Sequence, residues 1–324
     1  MKTVTTTNNS SNAVNSFTPS PQKKKSILKQ YAAHKYFFIM FFPVILYYLV
    51  FHYGTLYGVL IAFKDFKPLD GIWSSPWAGL KHFRDMFADP YFFSVLKNTL
   101  IINFSKLLIG FPAPIILAIM LSEIKRERFK KLVQTISYMP HFLSWVVLSG
   151  MLLEILSPSR GPVNAIITAL GFKPIFFITE PEWFRKILVG SEIWKGVGFG
   201  AIVYLAAISG INPEQYEAAE VDGINRFQKL WYITIPSIMP VIIIMLILRA
   251  GNIINDDFEQ VFNLMNAKVM EVGDVLSTYT YRQGLINMNL SYGAAVGLFK
   301  NIIALIMVFS ANFLASKISD DTLF

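Results

Sequence analysis

The sequence of 324 residues contains no cysteine. That excludes disulfides, thiolate metal sites and thiol nucleophiles, and it leaves the compartment open. Charge is scarce as well: 15% of residues are Asp, Glu, Lys or Arg, against about 25% in ordinary soluble domains. With 54% hydrophobic residues and a mean hydropathy of +0.47, the chain lacks the polar surface of a globular monomer and reads as an all-α integral membrane protein. No phosphate-cradling G-x-x-x-x-G-K-[ST] loop is present, so a nucleotide site of that kind is absent. The four histidines, His34, His52, His82 and His141, are not spaced as metal pairs. A net charge of +8 could suggest nucleic acid, but no nucleic-acid-binding motif accompanies it, and basic residues held on one side of a bilayer account for it.

What the sequence does have is long apolar runs. A membrane-spanning helix needs about 20 residues, and six stretches supply them: about 36–62, 98–121, 132–156, 187–211, 235–254 and 292–315. Pro112 and Pro114 mark kink sites in the second, and Pro140 lies near the start of the third. Residues 1–30 are rich in Thr, Ser and Asn, end in a lysine cluster, and read as a disordered basic tail preceding a six-span domain over 31–324. The link between spans two and three carries Lys125, Arg126, Arg128, Lys130 and Lys131. The positive-inside rule places it, the tail and the C-terminus in the cytoplasm. The remaining links, about 63–97, 157–186 and 255–291, then lie outside, with aromatics such as Trp73 and Trp77 suited to the interface.

Between spans four and five lies a polar island, 212–236. Asn212 is placed to cap a helix beginning at Pro213, with Gln215 at capping-box spacing. Gly223 stands where a left-handed helix terminus is wanted. Asn225 and Gln228 repeat the capping spacing. Glu214, Glu217, Glu220 and Asp222 outnumber Arg226 and Lys229, while Ala218 and Ala219 offer a flat patch. A capped, acidic, small-faced helix outside the bilayer suits docking into a basic groove. A solvated amphipathic loop is the plainer alternative.

Glu217-Ala218-Ala219, then Gly223, then Ile233-Thr234-Ile235-Pro236 resemble the E-A-A-x3-G-x9-I-x-L-P signature of permease subunits of binding-protein-dependent ABC importers, with Ile235 in place of Leu. The six spans, Asn98-Thr99-Leu100 and Tyr138-Met139-Pro140 are similar to the carbohydrate-uptake branch. Tyr279-Thr280-Tyr281-Arg282 resembles permeases for complex or acidic oligosaccharides, such as those derived from pectin or alginate. The resemblance implies a six-span permease fold in a bacterial cytoplasmic membrane. It implies that Glu217, Ala218, Ala219, Asp222 and Gly223 form a coupling helix on a cytoplasmic ATPase. The implied partners are a second homologous permease, two ATPase subunits that carry ATP and Mg, an extracytoplasmic solute-binding protein and an oligosaccharide. On that resemblance this chain is a transport subunit rather than an enzyme, and it binds no cofactor itself.

Ionisable groups within spans are costly and tend to face a cavity or a partner. Glu192, Trp194 and Lys195 in span four, Arg249, Asn252 and Asn255 in span five, Asp256 beyond it and Lys300 in span six are candidate lining of a substrate path. The alternative for the same residues is internal pairing, with Glu192 and Lys195 at i,i+3 spacing as the obvious pair. Asn103 and Lys106 add polar groups to span two. Rival readings are an ion-gradient-driven secondary transporter using Asp256, Asp257 and Glu192, and an enzyme acting on lipid-linked substrates. The first leaves the E-A-A spacing unexplained, and no paired catalytic constellation supports the second.

Overall fold

A computed structural model of the chain describes residues 35–251, 253–254 and 256–315. The basic tail, Asn252 and Asn255 lie outside the described residues. Those residues are almost wholly helical, with no named strand and a single isolated bridge between Lys64 and Trp77. They fall into two compact units, the first ending at Tyr57 and the second beginning at Gly58. The first unit holds α1 (Lys35–Tyr48), which contains Pro43 and continues through a π-helical turn, Leu49–Tyr53. The whole apolar run Lys35–Phe63 is long enough to cross a bilayer, as expected for span one.

In the second unit, α2 (Lys81–Ala88) precedes α3 (Pro90–Gly110) and α4 (Pro112–Ser122). Asp89 starts α3 by accepting a hydrogen bond from the Tyr91 N–H, with Pro90 at the first helical position. Together α3 and α4 form span two over Pro90–Ser122, so this span begins eight residues earlier than its apolar run suggested. The structure places its break at Phe111–Pro112.

Span three is not the continuous helix expected over 132–156. The segment α5 (Glu127–Tyr138) ends in a 3-10 turn at Met139–Phe142, and α6 (Trp145–Ile155) leaves at 106° to it. Pro140 lies in that turn, and Ser144 starts a new helix by accepting from the Val147 N–H. The apolar count carried across the bend, but the backbone hydrogen bonds did not.

The link that follows contains α7 (Pro162–Ala169). Helix α8 (Pro181–Ser209) is span four, at 29 residues the longest helix in the structure. It packs along α4, α3 and α5. In the Gly196–Gly200 stretch, a Cβ on Gly198 would overlap the backbone of Ser137 at the end of α5, so the two helices meet there backbone to backbone. The polar island 212–236 folds as a hairpin of α9 (Pro213–Val221) and the short turn α10 (Arg226–Lys229), and α11 (Ile235–Gly251), which is span five, follows it. The segment 256–289 is a layer of short helices that includes α12 (Phe258–Leu264) and α13 (Leu276–Tyr281). The last span is α14 (Leu290–Ala315). Among the described residues, five helices have the length and apolarity to cross a membrane, or six when the bent α5–α6 pair is taken as one span.

Three apolar clusters hold the unit together. Ala118, Ala201, Tyr204, Ile208 and Ile238 pack near the hairpin. Ile102, Leu188, Val261 and Val275 pack along the middle of α3 and α8. Phe92, Leu276, Tyr279 and Val296 pack at the far end. The 256–289 layer is tied down by buried polar groups. The Leu276 N–H donates to Thr99 Oγ1 (2.9 Å), Asn98 donates to the carbonyls of Glu271 and Asp274, and Arg185 donates to Asn98 Oδ1 (2.7 Å). Asp274 is fully buried, pairs with Arg282 and accepts from Tyr91 Oη at 2.8 Å. The link expected as an external loop is therefore a packed cap.

Replacing Gly198 with Leu should destabilise the chain by about 1–3 kcal/mol, because overpacking at a closed contact forces the backbones apart. The paired substitution Gly196→Ala, where a Cβ meets nothing within 4 Å, should be neutral or stabilise by up to about 1 kcal/mol. Thermal unfolding of both variants in detergent checks the difference.

Candidate functional site: a capped hairpin and the charged cavity behind it

The hairpin is built by local hydrogen bonding. Asn212 Oδ1 accepts from the Glu214 N–H at 3.0 Å, so the cap reaches the second helical residue. The expected box with Gln215 does not form: Gln215 N–H goes to the Asn212 carbonyl, and the Asn212 amide turns to Glu214 Oε2. At the other end Gly223 takes φ +69. The Gly223 N–H donates to Glu220 O and the Ile224 N–H to Ala219 O, which closes the helix as a Schellman motif. The second box is complete, with Asn225 and Gln228 each accepting from the other's backbone N–H. Tyr216 Oη meets Thr234 Oγ1 at 2.9 Å, and Lys229 Nζ donates to Glu220 Oε1 at 2.6 Å, so α9 is braced against the entry to α11. Lys229, with a smaller contribution from Lys125, holds the Glu220 carboxyl below its ordinary range. The basic link and the hairpin thus share one side of the molecule.

Glu217, Ala218, Asp222 and Gly223 are exposed, and Ala219 is buried. The flat patch expected of two alanines is therefore presented by Ala218 alone, while Ala219 packs inward. Beside it the surface is unexpectedly apolar: Val221, Phe227, Trp231 and Tyr232 are all largely exposed.

Behind the hairpin, among α3, α4, α8 and α11, lies a cavity of about 380 Å³. Asn103, Lys106, Glu192, Tyr204, Arg249 and Asp257 give it its polar lining. Glu192 sits between two cations. Its Oε1 accepts from Arg249 Nη2 at 2.8 Å, and its Oε2 lies 2.7 Å from Lys106 Nζ. That second contact is an ion pair outside hydrogen-bond geometry, and the Lys106 ammonium also donates to Gln260 Oε1 at 2.7 Å. Gln260 is fully buried and donates in turn to Leu188 O (2.7 Å) and Ser191 Oγ (2.8 Å). Asp257 lies 4.0 Å from Lys106. The lining thus sets Lys106 and Arg249 against Glu192 and Asp257, a balance of formal charge.

The expected Glu192–Lys195 pair does not form. Lys195 Nζ sits over the Trp145 ring, 4.5 Å from its centroid, and Glu192 looks instead to α3 and α11. Trp194 is exposed outside the cavity lining. The Asp256 side chain is buried: it accepts from Lys300 Nζ at 2.8 Å and from the Ser277 N–H at 3.0 Å. Lys300 belongs to a separate cleft. Of the candidate path residues, the cavity unites Glu192 and Arg249, and it adds Lys106, Asn103 and Asp257. Sequence reasoning did not single out Gln260 at all. A lysine inside a 21-residue apolar helix was the available signal that a buried acceptor had to exist elsewhere.

Residues 110–320, which hold the hairpin and most of the cavity lining, match the family described as binding-protein-dependent transport system inner membrane component. The chain belongs to that family. This permease is 41% identical over 303 residues to the polygalacturonan/rhamnogalacturonan transport system permease protein YteP of Bacillus subtilis, covering 94% of each chain. It superposes with a TM-score of 0.85 on a chain from the crystal structure of a bacterial ABC transporter involved in the import of the acidic polysaccharide alginate. That match has 40% identity and covers 91% of this chain and 100% of the other. A second structure, of a bacterial alginate ABC transporter in complex with an alginate pentasaccharide-bound periplasmic protein, matches at TM-score 0.85 and 38% identity, covering 92% and 100%. The permease fold expected from the E-A-A spacing is the fold found.

Removing one member of a buried ion pair costs about 3–5 kcal/mol. Lys106→Ala should fall near the lower bound, because Glu192 keeps Arg249 while the buried Gln260 carbonyl loses its donor. Arg249→Ala should cost less, since its side chain is 39% exposed. Chemical or thermal unfolding of the purified permease ranks the two.

Proposed function

We propose that this multi-pass permease conducts an oligosaccharide across a bacterial cytoplasmic membrane and is driven through its hairpin by ATPase subunits on separate chains. A second homologous permease stands beside it, and an extracytoplasmic binding protein delivers the sugar. ATP and Mg reside on the ATPase partners, and this chain supplies neither a nucleotide site nor a cofactor. The tail and both termini lie in the cytoplasm. Relatives named for polygalacturonan and for alginate favour a sugar bearing carboxylates.

The observation that carries the coupling role is geometric. The hairpin joins α8 to α11, and Glu192 on α8 is bonded to Arg249 on α11 at 2.8 Å. A helix capped at both ends transmits displacement where a frayed loop would absorb it. A push on α9 therefore moves two spans that are joined again at the cavity. Glu217, exposed and without a salt-bridge partner among the described residues, is free to meet a basic residue of the ATPase. Ala218 lets the partner's backbone come close, and Gly223 and Asp222 make the turn. ATP closure then biases the cavity between two exposures.

In the cavity, the balance of formal charge means that an anionic sugar would be held by exchange of partners. Its carboxylate would take the Arg249 guanidinium from Glu192, while Asn103 and Tyr204 meet hydroxyls. Lys195, Asn252, Asn255, Asp256 and Lys300 remain candidates for the remainder of the path.

Glu217→Lys in the assembled importer should leave the chain folded and assembled, and should abolish the dependence of ATP hydrolysis on substrate-loaded binding protein. Comparing stimulated with basal hydrolysis in proteoliposomes checks this. Undiminished stimulation and uptake would remove Glu217 from the contact.

A further inference from the structure

A second cleft, of about 560 Å³, lies between α13 with its π-helical extension Arg282–Ile286 and one face of α14. Its volume falls within the range of about 300–1,000 Å³ typical of small-molecule sites. Leu290, Gly293, Ala294, Gly297, Lys300 and Asn301 follow the spacing of a single helical stripe, so one face of α14 forms a wall. Tyr281 and Phe258 stand on the other side, braced by Phe262. The three rings contact one another with centroids 5.1–5.4 Å apart.

The cleft is amphipathic in a particular way. Broad ring faces lie beside Thr280, Asn301 and Lys300, and the Ser277 hydroxyl oxygen is buried with no hydrogen-bond partner among the described residues. A buried hydroxyl without a partner is costly, and a ligand bearing hydroxyls removes that cost. Pyranose rings present C–H faces to aromatic rings and hydroxyls at their edges, which suits such a wall. Gly297 is open toward this space, since a Cβ built on it meets nothing within 4 Å. Asp256 fixes the walls by binding Lys300 of α14 and the Ser277 N–H of α13 together. The next residue, Asp257, lines the charged cavity.

We propose that the cleft between Tyr281 and Gly297 is a second saccharide subsite, adjoining the charged cavity across Asp256 and Asp257 and holding a further ring of the same oligosaccharide. Lys300 keeps two donors beyond its bond to Asp256 for a hydroxyl or a carboxylate. This rests on the reading of the chain as an oligosaccharide permease.

Gly297→Leu tests it, because the new side chain fills the cleft without strain and leucine is a better helix former than glycine. Tyr281→Ala removes the aromatic wall, and Gly190→Leu, on an exposed face of α8, is the control. Each variant would be assembled with the second permease, the ATPases and the binding protein, and uptake of defined di- to pentasaccharides of galacturonate and of alginate measured in proteoliposomes. Gly297→Leu and Tyr281→Ala should raise KM for the longer sugars by on the order of tenfold, with kcat, basal ATP hydrolysis and complex yield unchanged, the signature of a lost contact that binds ground and transition states alike. The control should behave as wild type. Unchanged KM in both cleft variants overturns the subsite alone. Loss of the second permease from the Gly297→Leu complex also overturns it, and assigns the cleft to a partner helix. A wild-type complex that takes up no oligosaccharide overturns the proposed function, and the subsite with it.

Discussion

Glu192 is the point on which the second unit turns. A carboxylate at this depth in an apolar helix bundle is tolerable only when its charge is met, and two cations from two other spans meet it. Lys106 reaches it from α3 and Arg249 from α11, while Gln260 completes the shell of Lys106 from the cap. One residue of α8 thereby fixes the positions of span two, span five and the segment after span five. Apolar packing surrounds this contact but does not specify it, because helix surfaces in a bilayer lack the hydrophobic driving force that aligns them in water.

The hairpin was legible from sequence because its determinants are local. Capping residues, a glycine in the left-handed region and a second box act within a few residues of one another, so spacing alone nearly describes the geometry. Even there, Gln215 looked like a box partner by spacing, yet the Asn212 amide turned to Glu214. The path was less legible for the opposite reason. Glu192 and Lys195 are neighbours on a helix surface, but local proximity is worth little against a buried cation from another span, and Lys195 gains more over the Trp145 ring. Nothing in a one-dimensional pattern reports that Lys106, 86 residues earlier by numbering, and Arg249 are the partners of Glu192. The third span failed differently. Hydropathy averages over a window and is blind to a turn of four residues, Met139–Phe142, that redirects the chain by 106°.

The bend at Pro140 and the close contact at Gly198 bear on how the hairpin can work. Helix α5 meets α8 backbone to backbone near Ser137, and then the chain turns away. Above that contact α8 is joined to α3 and α11 by Glu192. Below it α8 runs on to Ser209 and the capped hairpin. On the proposed coupling role, a displacement at α9 would be delivered along a continuous helix of 29 residues that is gripped at its middle by glycine-mediated contact and by charge. Such a helix would tilt about its grip rather than slide. The cavity beside Glu192 would then change its opening while the glycine contact holds.

The far end is built differently from the near end. The hairpin side offers exposed acids and exposed apolar rings. At the opposite end, Asp274, Asn98, Arg185 and Tyr91 bury their polar groups in one another, and Asp256 binds α13 to α14. Buried polar groups of this kind resist partial movement, since each half-broken state leaves an unpaired group in an apolar setting. On the proposed coupling role the cap would be a rigid frame and the hairpin the moving part, with the charged cavity between them. Glu192 belongs to both, and an anionic sugar that competes for Arg249 would loosen the joint through which the motion passes. Recognition of the cargo and transmission of the stroke would then depend on the same ion pair.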